Sequence, residues 1–245
     1  MVITTPAQSS RSLWLMLTAR TGLFVLWQAI LALVLLILGS LKAWDDAAAW
    51  WPITVILTNL VCIVLLQTFY QREGLRFWDI FRLKRETWRK DLLFLVGILV
   101  ISGPVAMLPN MLLATWLFGD QQVALDLFLR PLPTWAIFLA VTVWPVTQAL
   151  AELPFYFAYL MPRLEAQTGQ RWQAVLLSAF WLGAQHCAMP LIFDGRFILW
   201  RFWMFLPFAL MVAVVLRSRP QLLPYLVVVH GLMDMATALM IPVLG

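Results

Sequence analysis

Seven stretches of about 20 mostly apolar residues occupy so much of this chain that no intervening segment is long enough to fold in water. They run from Gly22 to Leu41, Trp51 to Tyr70, Leu92 to Phe118, Thr134 to Met161, Trp172 to Phe193, Phe197 to Leu216 and Leu222 to Leu244. Only 12% of residues are charged, against roughly 25% in a soluble domain. The expected fold class is therefore all-α, a polytopic membrane helix bundle with about seven transmembrane helices. Residues 1–133 supply the N-terminal helices and residues 134–245 a motif-bearing core, together forming a single membrane domain.

The net charge of +5 does not point to nucleic acid. Seven of the 17 Lys and Arg residues crowd between Arg72 and Lys90, as in a segment lying on a membrane surface. There Phe77, Trp78, Phe81 and Trp88 alternate with Arg76, Arg82, Arg85 and Arg89, the pattern of an amphipathic interfacial helix whose partner is membrane lipid. Lys and Arg also distribute unevenly between alternate connections. Thirteen fall at Arg11, Arg20, the 72–90 segment, Arg163, Arg171, Arg217 and Arg219, against four at Lys42, Arg130, Arg196 and Arg201. The positive-inside rule then places the N-terminus in the cytoplasm and Gly245 outside. A bacterial plasma membrane is the expected location. The first apolar run lacks a small-residue cleavage site and reads as a retained helix.

Four ionisable residues fall deep in the apolar runs: Glu152, His186, His230 and Asp234. Such residues are costly in a bilayer and usually mark function. At about 1.5 Å per residue they lie roughly 16 to 22 Å from the basic flank of their helices. Three helices thus carry polar groups at similar depth. His230 and Asp234, four apart, share a helix face, where the carboxylate can fix the imidazole tautomer. Gln148, Glu152 and Tyr156 repeat every four residues and form a polar stripe, and Tyr156 is placed to bond the Glu152 carboxyl. Pro145 and Pro154 remove backbone hydrogen bonds beside that stripe. Ties between helices made by the same groups are the plainer reading. Cys62 and Cys187 read as buried thiols.

These residues stand in three short motifs. The first is Ala151-Glu152-Leu153-Pro154-Phe155-Tyr156, followed by Pro162-Arg163-Leu164. The second is Leu182-Gly183-Ala184-Gln185-His186, and the third His230-Gly231-Leu232-Met233-Asp234. In order and placement they resemble the CAAX-protease and bacteriocin-processing (CPBP, or Abi) intramembrane proteases. That family carries Glu-Glu-x-x-x-Arg, Phe-x-x-x-His and His-x-x-x-Asn/Asp on separate membrane helices. The resemblance covers about Thr134 to Leu244 and implies an intramembrane endopeptidase acting on membrane-associated peptides. It implies that the histidine of the second motif, here His186, activates water, and that the third pair, here His230 and Asp234, polarises the carbonyl.

The chain departs from the pattern at Ala151, Tyr156 and Leu182, where the family has glutamate, arginine and phenylalanine. Ala151 cannot take a proton, so Glu152 must act as base or the chemistry is lost. An inactive member binding a membrane protein or peptide as a scaffold is the alternative, and a transporter a more distant one. The water-activation picture needs no cofactor, although His186 and His230 with a carboxylate are also a donor set for zinc.

Overall fold

A computed structural model describes residues 10–244, in which all extended regular structure is helical. The placements expected for the N-terminus and for Gly245 lie outside the described residues. The helices are α1 (Ser10–Ile37), α2 (Ala43–Ala48), α3 (Trp51–Arg72), α4 (Trp88–Phe118), α5 (Gln121–Phe128), α6 (Thr134–Leu153), α7 (Met161–Thr168), α8 (Arg171–Gln185), α9 (Gly195–Ser218) and α10 (Leu223–Ala238). A π-helical segment, Pro154–Leu160, joins α6 to α7. Its wider turn accommodates a proline that has no N–H to give to the ladder.

Among the described residues, five helices are long and apolar enough to cross a membrane: α1, α3, α4, the continuous Thr134–Thr168 rod and α9. The chain is an integral membrane protein. Two of the seven expected spans are shorter than the apolar runs that contain them. The run 172–193 yields only the 15 residues of α8, and the run 222–244 only the 16 residues of α10. At 1.5 Å per residue each reaches roughly 22–24 Å, short of the ~30 Å hydrocarbon core. Beyond α8 the chain turns irregularly over residues 186–194. Beyond α10 it is tied by a bridge in which Leu132 N–H donates to Pro242 O at 3.0 Å and Leu244 N–H to Leu132 O at 2.9 Å.

The first helix corrects the sequence reading most. It is already helical at Ser10, the first described residue, well before Gly22, so Arg20 lies within the bundle and not on a cytoplasmic flank. Arg201, counted with the opposite flank, is also buried, inside α9. Its guanidinium donates to the carbonyls of His186 (3.3 Å) and Met189 (3.0 Å) and lies 4.1 Å over the Phe128 ring. A cation there satisfies the carbonyls that end α8. Those bonds explain how irregular backbone persists among apolar helices.

The basic segment is not a helix as expected. Arg72 ends α3 and Trp88 to Lys90 begin α4; between them only Phe77–Phe81 forms a 3-10 turn, flanked by extended residues at Arg76 and Arg82. Phe77 points inward and packs on Tyr70, which removes it from the outward apolar face.

The helices pack as two groups. α6 lies between α3 and α10, α9 lies between α8 and α4, and α1 bridges α3 and α8. Apolar side chains form two separate clusters along the bundle. One holds Leu17, Cys62, Leu66, Ala151, Tyr156, Ala179 and Leu216. The other holds Phe24, Val55, Trp51, Trp144, Phe197 and Trp200. On α1, α3 and α6 the residues between the two clusters include Arg20, Asn59, Thr147 and Gln148, a buried polar layer.

Candidate functional site

Glu152 is the hub of that layer. Its side chain is 1% exposed. Gln148, one helical turn earlier, donates from Nε2 to Glu152 Oε2 at 2.5 Å. Gln185 of α8 donates to the same oxygen at 2.7 Å. The other oxygen, Oε1, lies 3.2 Å from His230 Nε2 on α10. Arg20 Nη2 stands 3.8 Å from Oε2.

Arg20 binds the layer together. It donates from Nε to Gln185 Oε1 at 2.7 Å, and from Nη2 to Asn59 Oδ1 at 3.0 Å and Gln148 Oε1 at 3.2 Å. Asn59 in turn donates to Thr147 Oγ1 at 3.3 Å. Five helices, α1, α3, α6, α8 and α10, therefore meet through side chains at one level. An unpaired carboxylate or guanidinium would be very costly there, and each is offset by the other.

Glu152, His230 and Asp234 come together as the sequence implies, but with a different internal arrangement. Asp234 Oδ2 lies 3.5 Å from His230 Nε2, the same nitrogen that faces Glu152. Both carboxyl groups thus address one side of the ring, and the other nitrogen is not taken by Asp234. Neither His230 Nε2 nor Asp234 Oδ2 has an aligned hydrogen-bond partner, although both atoms are buried. Such groups in a native structure call for water, a ligand or a chemical role.

His186 is not in this contact set. It ends α8, where its Nδ1 sits 2.7 Å from the Leu182 carbonyl. Its ring stacks on Phe205 of α9 with centroids 3.6 Å apart. The side chain of α8 that reaches Glu152 is its sequence neighbour, Gln185. Gly183 packs closely on Leu206, where an added Cβ would stand 3.6 Å from the Leu206 Cα. This contact and the Phe205 stack help fix the rotation of α8. Adjacent helical residues point about 100° apart, so one position separates the layer from the α9 side.

The supporting residues divide in the same way. Gln148 bonds Glu152 as the four-residue stripe implies. Tyr156 does not bond the carboxyl. Its hydroxyl donates to Gln185 Oε1 at 3.3 Å, the oxygen that also accepts from Arg20. The family resemblance places an arginine at position 156. Here a tyrosine stands at that position and the guanidinium arrives from α1. Ala151 is fully buried among apolar side chains and faces no wet pocket.

His230 has an outlet. Its side chain is 14% exposed and lines a narrow crevice with a free volume of about 20 Å³, space for a water. The crevice lies between Ile98, Leu99 and Ser102 of α4, Phe208 and Met211 of α9, and Met233 of α10.

Among the described residues no group of three or more His, Cys, Asp or Glu side chains is placed to hold a metal ion. His186, the other histidine first considered as a zinc ligand, stands on the Phe205 side of α8 and outside the contacts of Glu152. The guanidinium 3.8 Å from Glu152 would also repel a dication.

No family model, curated protein or solved structure matches the chain.

Proposed function

We propose that the protein is a membrane-embedded peptide hydrolase of the kind the CPBP resemblance implies, acting on a membrane-associated peptide. The observation that supports this most is the placement of His230. Its Nε2 lies within 3.5 Å of two carboxyl groups while its ring borders a crevice. One guanidinium, two carboxyls and one imidazole make a neutral set when a single extra proton is shared among the last three. A buried site is held close to neutrality, and a proton with three alternative seats is what acid–base catalysis uses.

In the reaction we assign, Nε2–H faces the carboxyl groups and Nδ1 serves as general base. Nδ1 takes a proton from a crevice water as its oxygen bonds the peptide carbonyl carbon. The C–N bond then breaks, and His230 returns the proton to the leaving amine. Glu152 orients and charge-balances the ring; held by two amides and near Arg20, it is a positioning residue. Asp234 shares the proton. The roles of water activation first drawn for His186 and Glu152 pass to His230. Cytoplasmic basic segments and a bacterial plasma membrane location belong to the same proposal.

The test is hydrolysis of a panel of membrane-associated peptides by the purified protein in lipid nanodiscs, read by mass spectrometry. His230→Gln should lower the rate by about 10²–10⁴, the usual worth of a general base. His186→Gln should leave most of it. Cleavage that survives His230→Gln removes the proposal.

A second reading has its own observation. Glu152 is nearly inaccessible, accepts hydrogen bonds from Gln148 and Gln185, and stands beside His230 and Arg20. That is the arrangement of a structural knot in a scaffold that holds a membrane protein or peptide. Absence of any cleavage, together with loss of a co-purifying membrane protein on His230→Ala, selects it.

A further inference from the structure

The segment joining α3 to α4 plays no part in the chemistry at His230, yet it carries the densest charge on the molecule. Arg72, Arg76, Arg82, Lys84, Arg85, Arg89 and Lys90 are all exposed. The exposed acids of the segment are Asp79, which pairs with Arg82 at 3.0 Å, and Glu86. Glu73 is drawn inward by Arg163, and Asp91 is buried with Thr87. Folding thus removes acidic groups from this surface and leaves its cations outside.

Trp78, Leu83 and Trp88 are exposed among those cations. Arg89 lies 5.3 Å over the Trp88 ring. Both ends of the segment continue directly into helices long and apolar enough to cross a membrane, which tethers it to the bilayer. Phe77 pins its centre into the bundle, where the 3-10 turn packs on α3 and α10. Indole rings and cations held together at the ends of such helices match the chemistry of a bilayer's interfacial zone, where phosphate oxygens and acyl chains meet.

We propose that residues 72–90 form a docking surface for anionic phospholipid headgroups. The phosphates are met by Arg82, Lys84, Arg85 and Arg89, and the glycerol and upper acyl region by Trp78 and Trp88. The lipid is a structural partner of the short turn that braces α10.

Phosphatidylglycerol and phosphatidylcholine are the probes, added separately to the full chain in detergent, with bound lipid counted by native mass spectrometry. Phosphatidylglycerol should bind at least tenfold more tightly. The double variant Lys84→Gln/Arg85→Gln should weaken it about 25-fold, taking about fivefold for each surface cation. Lys42→Gln, an exposed cation on a different connection, should change nothing. These side chains are exposed, and size-exclusion behaviour checks that the variants fold. Equal binding of both lipids, or equal weakening by Lys42→Gln, overturns the proposal. So does displacement of phosphatidylglycerol by inorganic phosphate at the same ionic strength, which would mark a simple anion site. A soluble acidic peptide that outcompetes the lipid would reassign the surface to a protein partner.

Discussion

Replacing Arg20 with methionine keeps an unbranched, flexible stem and removes the charged end with its donors. Three hydrogen bonds disappear, to Gln185, Asn59 and Gln148, together with the charge 3.8 Å from Glu152. Both members of the pair are essentially inaccessible, so water cannot replace what is lost. Breaking a buried pair by removing one member costs about 3–5 kcal/mol, mostly because the remaining charge is stranded. The loss should appear in denaturant unfolding of the detergent-solubilised protein, followed by circular dichroism. Adding Glu152→Gln to Arg20→Met should recover part of it, since the stranded charge is then gone; contacting pairs couple by roughly 0.5–3 kcal/mol. An Arg20→Met variant that loses under about 1 kcal/mol, or two changes that simply add, would refute the polar layer as described.

Three further outcomes follow from the same geometry. Ala151→Glu forces a larger, charged side chain into a closed apolar cluster, so it should lower the unfolding temperature, with overpacking alone costing about 1–3 kcal/mol, and should not raise any hydrolysis rate. Arg163→Gln breaks the buried ion pair with Glu73 and the stack 3.6 Å over Tyr159, and should cost about 3 kcal/mol in the same unfolding assay. Single cysteines in the 72–90 segment should be labelled by an impermeant reagent only from the cytoplasmic side, as the charge asymmetry implies, when intact cells are compared with inverted vesicles.

The bundle was legible because bilayer thickness imposes a length that apolar runs reveal directly. Helices α3, α4 and α9 begin and end within a few residues of the runs that announce them. The pairing of His230 with Asp234 and of Gln148 with Glu152 was legible for a local reason, since four-residue spacing fixes a shared face. Arg20 was not. A cation near the start of an apolar run looks like a flanking anchor, and its partners Asn59, Gln148 and Gln185 lie far along the chain on three other helices. Those mid-run amides were the available signal: each needs a partner, and a buried guanidinium offers several donors.

The exchange of His186 for Gln185 had no sequence signal of its own. Which residue of α8 faces the layer depends on how α8 rotates against α9, a packing choice made by Gly183, Leu206 and Phe205. The amphipathic pattern of residues 72–90 misled for a related reason. One of its aromatic residues, Phe77, is claimed by the interior, and the helix period breaks around it.

The chain contains only two histidines, which opens a direct test of the central claim that the Glu152 carboxylate orients and charge-balances the His230 ring. Protein labelled with ¹⁵N-histidine gives ring-nitrogen resonances for His186 and His230 alone, assigned with a His186→Gln variant. The measurement is the change in those resonances across pH when Glu152 is replaced by glutamine. His230 should show a clear shift in its titration and tautomer balance, with His186, held by the Leu182 carbonyl and the Phe205 ring, changing far less. A His230 titration unaltered by Glu152→Gln would contradict that claim.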